Sequence, residues 1–347
     1  MIRTVEILFR VVRDGADYSQ LYPIANSTPT VYLDEKSQIR MALRGDFIDP
    51  GDTINLFTDR IRPVLCIDGE EHPLGLFLVA SSRKIITATG HYLSIEAYDQ
   101  CWMMQTIVVD DVFFYYHTRT YMFCIKDILD KTGIGLRLIT DTSLGLTRDR
   151  YDWLPGTNYL TILNDLLDEI NYAHLWFDMN GTAIIAPEPD PLSTPVKHIL
   201  SENDIRSLLL LDAQAESDYY SAPNVFVAAC SNFEKKGINA VAMNDDMNSP
   251  FSVTRRGRKI YSVTRVKDVP DTTTLQAIAQ KMANRSILRT EKITVKTGLL
   301  PDFGLNDIVG LEIDGEMSVC VERGWTMELI PGGTMTHKME RTAVIYG

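Results

Sequence analysis

Over the first hundred residues, apolar and polar positions change with a period close to two. In Thr4–Val12 the residues Val5, Ile7, Phe9 and Val11 fall on one face, which predicts a strand. Short β-rich runs follow at Thr30–Leu33, Gln38–Leu43, Thr53–Phe57, Arg62–Ile67, Leu74–Ala80 and His91–Tyr98. Turn chemistry separates them, at Asp49-Pro50-Gly51-Asp52, Asp68-Gly69 and Thr89-Gly90. Strands at this spacing predict a small barrel or sandwich. Leu74–Ala80 is apolar at both parities, which suits a strand covered on both faces or packed on a neighbouring subunit.

Beyond residue 110 the period lengthens. Tyr121–Lys131 carries Cys124, Ile125, Ile128 and Leu129 on one helical stripe, with Gly133 as its stop. Asn158–Tyr172 is the clearest helix. Leu160, Leu163, Leu166, Leu167 and Ile170 line one face, and Asn164, Asp165, Asp168 and Glu169 are assigned to the opposite, solvated face. Thr157 or Asn158 caps it. A hairpin is expected next, Ala173–Phe177 and Thr182–Ala186 around Asp178-Met-Asn-Gly181, followed by a stiff linker over Pro187–Pro191.

The last third returns to strands, at Asn224–Ala229, Lys292–Thr297, Ile308–Ile313, Ser318–Val321, Trp325–Leu329 and Arg341–Ile345. One helix interrupts them at Leu275–Ile287, with Leu275, Ile278, Ala279 and Met282 inward and Asp271 or one of Thr272–Thr274 as cap. The fold class is therefore α+β, mainly β. Its expected units are a β region at 1–110, an α/β middle at 111–200, and a second β region at 201–347 with a helical insertion near 272–288.

Charge narrows the partners. The 347 residues hold 34 Lys+Arg against 46 Asp+Glu, a net charge of −12, which argues against a dedicated nucleic-acid binder. No apolar run approaches the roughly 18–20 residues of a membrane span, and no secretory signal is visible. The five cysteines, Cys66, Cys101, Cys124, Cys230 and Cys320, are odd in number and widely spaced. They read as reduced, buried side chains rather than a disulfide framework or zinc site.

Chemistry-bearing motifs are missing. His72, His91, His117, His174, His198 and His337 are scattered, without HExxH or HxH, so they read as surface or satisfied core residues, with a distributed metal site as the alternative. No nucleophile elbow, P-loop or dinucleotide fingerprint occurs. Asp178-Met-Asn-Gly181 opens like a calcium loop but lacks the later carboxylates, so it reads as a turn. Asp110-Asp111, Asp168-Glu169, Glu188 with Asp190, and Asp245-Asp246 are acidic pairs without visible convergence on a cleft. The basic cluster Arg255-Arg256-Gly257-Arg258-Lys259 reads as a hairpin tip between Ser252–Thr254 and Ile260–Val263, or as a salt-bridging subunit contact. Phe113-Phe-Tyr-Tyr116 reads as a buried strand or inter-domain contact. No catalytic residue, cofactor or metal ligand is therefore assigned, and no enzyme activity is expected.

Organisation carries more. Trp153–Tyr172, reading WLPGTNYLTILNDLLDEINY, followed by Leu175–Gly181, resembles a recurrent segment of bacteriophage tail hub proteins: a Pro-Gly-Thr turn, a helix ending in LL..I.Y, then a hairpin reading FD.(N/D)G. Asn224–Val227, the helix at Thr274–Ile287, Glu291–Val295 and Leu300–Val309 are similar to the same family. Asn306 stands where its gD.V entry into a strand usually has Gly. The resemblance spans about residues 150–347.

The resemblance implies a baseplate or tail-tip hub of a contractile phage tail or a phage-tail-like bacteriocin. It implies two small antiparallel β-barrel domains, the first tube-like, joined by an α/β middle. Three copies would form a homotrimeric ring between a six-fold tail tube and a three-fold spike. Implied partners are the tube or tube-initiator protein, the central spike protein, other baseplate proteins and the tape measure protein. DNA would pass only in transit, and no stable membrane association is implied. Assembly would occur in the host cytoplasm, and the mature location would be the particle. An acidic channel wall would keep DNA from sticking. Two other readings stay open: a tail-associated cell-wall hydrolase, and a distal tail or receptor- and carbohydrate-binding module.

Overall fold

The strand Val5–Arg13 pairs with Ala16–Leu21 on one side and with Arg60–Ile67 on the other. From this start, the computed structural model extends one sheet of 14 strands across the chain. It describes residues 3–341 apart from 89, 191–192, 217–219, 232–237, 248 and 289–290. The order along the sheet is Leu209–Glu216, Glu291–Gly298, Thr334–Arg341, Glu316–Glu328, Thr30–Asp34, Met41–Ile48, Gly90–Tyr98, Phe77–Thr87, Arg60–Ile67, Val5–Arg13 and Ala16–Leu21. Glu70–Pro73 adds to Arg60–Ile67, and Ile308–Ile313 adds to Glu316–Glu328 and carries His198–Ser201 in parallel.

Three tight hairpins in this sheet turn on Asp-Gly: Asp14-Gly15, Asp68-Gly69 and Asp314-Gly315. All six residues have positive φ, the type I′ geometry whose twist matches flanking strands. Two separate closed barrels are not what the strands build. The path is open, with Ala16–Leu21 and Leu209–Glu216 at its two ends. The first and last β regions meet where Thr30–Asp34 pairs antiparallel with Gly324–Glu328. One hydrophobic core follows, holding Phe9, Phe47 and Phe77 from one end of the chain with Trp325, Met327 and Met335 from the other.

Several expected elements come out differently. Thr53–Phe57 is not a strand. Gly51–Thr53 forms a short 3₁₀ turn, the Asp59 carboxylate accepts the Asn55 N–H at 2.8 Å, and Asn55 accepts the Phe57 N–H, so local side chains take the ladder's hydrogen bonds. The run expected at Gln38–Leu43 begins pairing only at Met41. Leu74 is buried ahead of the strand, which starts at Phe77. Ser318–Val321 and Trp325–Glu328 belong to the single strand Glu316–Glu328, with Leu329 just beyond its end, and the strand shifts register between Glu322 and Gly324. Thr334–Arg341 is a strand the pattern did not reveal. The expected Arg341–Ile345 lies outside the described residues beyond its first, as do Thr89 of one expected turn and Pro191 at the end of the linker.

The middle packs α1 (Gln100–Thr106), α2 (Tyr121–Lys131) and α3 (Tyr159–Glu169) into a second core. Asn158 accepts the Thr161 N–H and caps α3 as expected, and Gly133 (φ +72°) ends α2. Phe113–Tyr115 pairs with Arg150–Trp153 as a two-stranded ribbon. The hairpin strands are Trp176–Phe177 and Ala183–Ile185, with Arg137–Ile139 parallel to the latter.

A third core lies between α5 (Thr272–Leu288) and a three-stranded sheet ordered Asn239–Met243, Val225–Cys230 and Tyr261–Val266. Asp271 accepts the Thr274 N–H at 2.6 Å at the start of α5. The basic cluster is not a hairpin tip. Ser252 caps a short helix, α4 (Val253–Arg256), and Gly257 ends it at φ +63°. Among the described residues no helix is long and apolar enough to cross a membrane.

Candidate functional site

The predicted chemistry candidates do not converge. Each histidine with a nearby acid has one carboxylate: His72 with Asp302, His117 with Asp149, His174 with Asp168, His198 with Asp307 and His337 with Glu322. No group of three potential metal ligands occurs among the described residues, and all five cysteines are buried and free. The Asp178 carboxylate accepts the N–H groups of Asn180 and Thr182, with Gly181 at φ +80°, which is turn chemistry. Arg255, Arg256 and Arg258 of the basic cluster donate to the carbonyls of Met247, Ala222 and Tyr220.

Among the acidic pairs, Asp110-Asp111 and Asp245-Asp246 are exposed, while Asp168 and Glu169 part. Glu188 meets Arg323 at 3.0 Å. Asp168 is half-exposed beside His174, as expected. Glu169, assigned to the solvated face, is instead completely buried. Arg150, also fully buried, grips it with both terminal nitrogens at 2.5 and 2.8 Å, and the Tyr121 hydroxyl donates to it at 3.0 Å. The Arg150 guanidinium lies 4.7 Å over the Trp153 ring and also donates to Asp152. Burial pushes the Glu169 carboxyl up, to about 7, against the pull of Arg150. Burial works against Arg150 as well, but Glu169 and Asp152 together hold the guanidinium above its usual value. The signal was present: Glu169 follows Ile162 by seven residues and Leu166 by three, on the buried stripe of α3.

The seam between the first and last β regions is the second buried polar centre. Arg323 donates to Glu340 at 2.9 Å, Glu188 at 3.0 Å and Glu35 at 3.4 Å, joining three parts of the chain. Beside it Glu322 meets His337 Nδ1 at 2.8 Å, and His337 Nε2 lies 3.1 Å from Thr297, all three fully buried. Burial pushes the Glu322 carboxyl up, opposed by His337. Gly324 sits where a Cβ would come 2.4 Å from the Leu33 carbonyl oxygen, so only glycine lets the two strands approach. Asn306 has φ +64°, a left-handed conformation that Asn adopts next most readily after Gly, and its side chain accepts from Arg323. The departure from glycine at this position therefore keeps the turn.

Two outer faces remain. On the three-stranded sheet, one face is covered by α5. On the other, register sets Met243 and Tyr261 beside Val225, and Val241 and Val263 beside Val227. Tyr261 is 60% exposed and Val263 54%. On the ribbon, Phe113 and Tyr115 point inward against Trp153, while Phe114, Tyr116 and Tyr151 project outward. The Phe114 and Tyr151 rings stack 5.6 Å apart. The Phe113–Tyr116 run is thus half inward and half outward, not a fully buried strand.

Known structures share this architecture from end to end. The tail protein of Neisseria meningitidis MC58 superposes with a TM-score of 0.67 at 15% identity, covering 96% of each chain. The chain has the fold of phage tail proteins. The 43 kDa tail protein of prophage MuSo2 from Shewanella oneidensis has the same fold, with a TM-score of 0.66 at 12% identity over 98% of this chain and 99% of that one. The Escherichia coli c3393 protein, a type VI secretion component described as structurally similar to the phage T4 tail proteins gp27 and gp5, reaches 0.50 at 8% identity over 100% and 76%. No family model and no curated protein matches the sequence. The tail-protein fold covers both the first β region, where the sequence resemblance was silent, and the later segments that carried it.

Proposed function

We propose that this protein is the structural hub of a tail baseplate, in a phage or a phage-tail-like particle. Three copies form a ring that adapts a six-fold tail tube to a three-fold spike. The observation that carries this reading is the end-to-end structural match to tail proteins. The two β regions, 1–110 and 201–347, supply related surfaces toward the tube, and 111–200 links them. Buried charge at Arg150–Glu169 and at the Arg323 seam suits a rigid spacer rather than a cleft that must open.

Copy number in the intact particle tests this: three copies are expected by microscopy or native mass spectrometry, and six or one overturns it. Much of the excess carboxylate faces the channel in this reading, and a basic channel wall in a map of the assembled ring refutes that part. Lysis of cell walls in a turbidity assay would replace the structural role with a hydrolase.

A further inference from the structure

The open face of the three-stranded sheet and the aromatic ribbon differ in charge as well as shape. Residues 247–267, which supply α4 and the Tyr261–Val266 edge strand, contain six basic residues and no acidic one, in a chain of net charge −12. Lys259 and Arg265 are exposed, and Arg265 follows Tyr261 and Val263 on the open face by strand alternation. The run 108–116, which leads into the ribbon, contains Asp110 and Asp111 and no basic residue. Both carboxylates are exposed, and neither forms an ion pair among the described residues.

We propose that the open sheet face of one copy seats on the aromatic ribbon of a second copy, head to tail. The proposal rests on the ring reading and deepens it. A three-fold ring requires a heterologous contact, in which two different patches of the same chain meet. The rows Met243–Tyr261 and Val241–Val263 offer a largely apolar floor to Phe114, Tyr116 and Tyr151. Asp110 and Asp111 then meet the Lys259 and Arg265 edge. Pairing the sheet face with itself would set Lys259 and Arg265 against their own copies, and like charges across an interface disfavour that arrangement.

The test joins Phe114→Cys and Tyr261→Cys in one chain. The native thiols are buried, so background cross-linking is low. On mild oxidation, a disulfide ladder that stops at three copies is expected on a non-reducing gel. A ladder that runs past three upholds the pairing of the two faces and refutes the three-copy ring. Covalent dimers from Tyr261→Cys alone, or no cross-link with the wild-type chain monomeric in solution, overturns the pairing while particle copy number still decides the ring.

Charge reversal provides the second measurement and does not depend on thiol placement. Lys259→Glu with Arg265→Glu is expected to weaken self-association about tenfold or more, and adding Asp110→Lys with Asp111→Lys in the same chain is expected to restore it. Unchanged association in the first variant, or no recovery in the second, overturns the proposal.

Discussion

The seam and the small sheet are both β structures, yet they treat their side chains in opposite ways. At the seam between Thr30–Asp34 and Glu316–Glu328, even ionisable groups are inside. Glu322 and His337 are fully buried, and Gly324 removes the last side chain that would keep the strands apart. On the sheet of Val225–Cys230, apolar side chains stand in solvent on one face while α5 covers the other. The seam is finished within one chain, whereas the small sheet leaves one apolar face exposed, the face proposed above to meet a second copy. Exposed contiguous apolar surface of this kind marks interaction sites on soluble proteins.

That contrast can be broken by mutation. The largest effect is expected inside the middle core: Glu169→Gln leaves the buried Arg150 with Asp152 alone as counter-charge and should cost about 3 kcal/mol, read by urea unfolding. The apolar pair Arg150→Met with Glu169→Leu should recover most of that loss. A double variant as unstable as the single one would show that this pair, unlike the open face, is built around its charge.

Next, Gly324→Ala should cost about 3 kcal/mol, because its Cβ meets the Leu33 carbonyl and the backbones must separate. A stability loss under 1 kcal/mol would mean that the seam gives way more easily than its packing implies.

A smaller effect concerns the Arg13–Asp59 pair, in which Arg13 donates to both Asp59 oxygens at 2.8 and 2.6 Å and holds the carboxyl below its usual value. With the folded value lowered, the stabilisation is complete above the unfolded value near 4 and is lost as pH falls through the folded value. Asp59→Asn should therefore cost about 1 kcal/mol at pH 7, and the cost should shrink as pH is lowered below about 4, by parallel melts.

Smallest of all, Val263→Ser on the open face should change monomer stability by less than about 0.5 kcal/mol. A loss near 2 kcal/mol would mean that the face belongs to the chain's own core.

Legibility followed the same divide. Periodic, one-sided patterns were plain: the bounds of α2, the Asn158 cap and the Asp178–Gly181 turn are where the spacing put them. The two β regions looked separate because nothing in Tyr32 or Thr326 announces a partner almost three hundred residues away. Glu169 was misplaced because a carboxylate on an apolar helical stripe looks like a frayed face until Arg150 arrives from the ribbon strand. Thr53–Phe57 failed for a local reason, the capture of its N–H groups by Asp59 and Asn55.

The outer faces were hidden differently. Alternation in Tyr261–Val266 and Phe113–Tyr115 marks two sides of a strand but not which side is covered. The basic run at 255–259 was visible, but its carbonyl partners were not.

The pairing of Val31 with Met327 also sets a clock. The second of these strands leaves the ribosome about 15–60 s after the first, at ordinary rates of synthesis. Until then Thr30–Asp34 waits with one edge unmatched, a site for chaperone capture or mispairing. Shortening that wait, by speeding translation or permuting the chain so that the two strands are made together, should raise the yield of folded subunit more than any stabilising change in the seam itself.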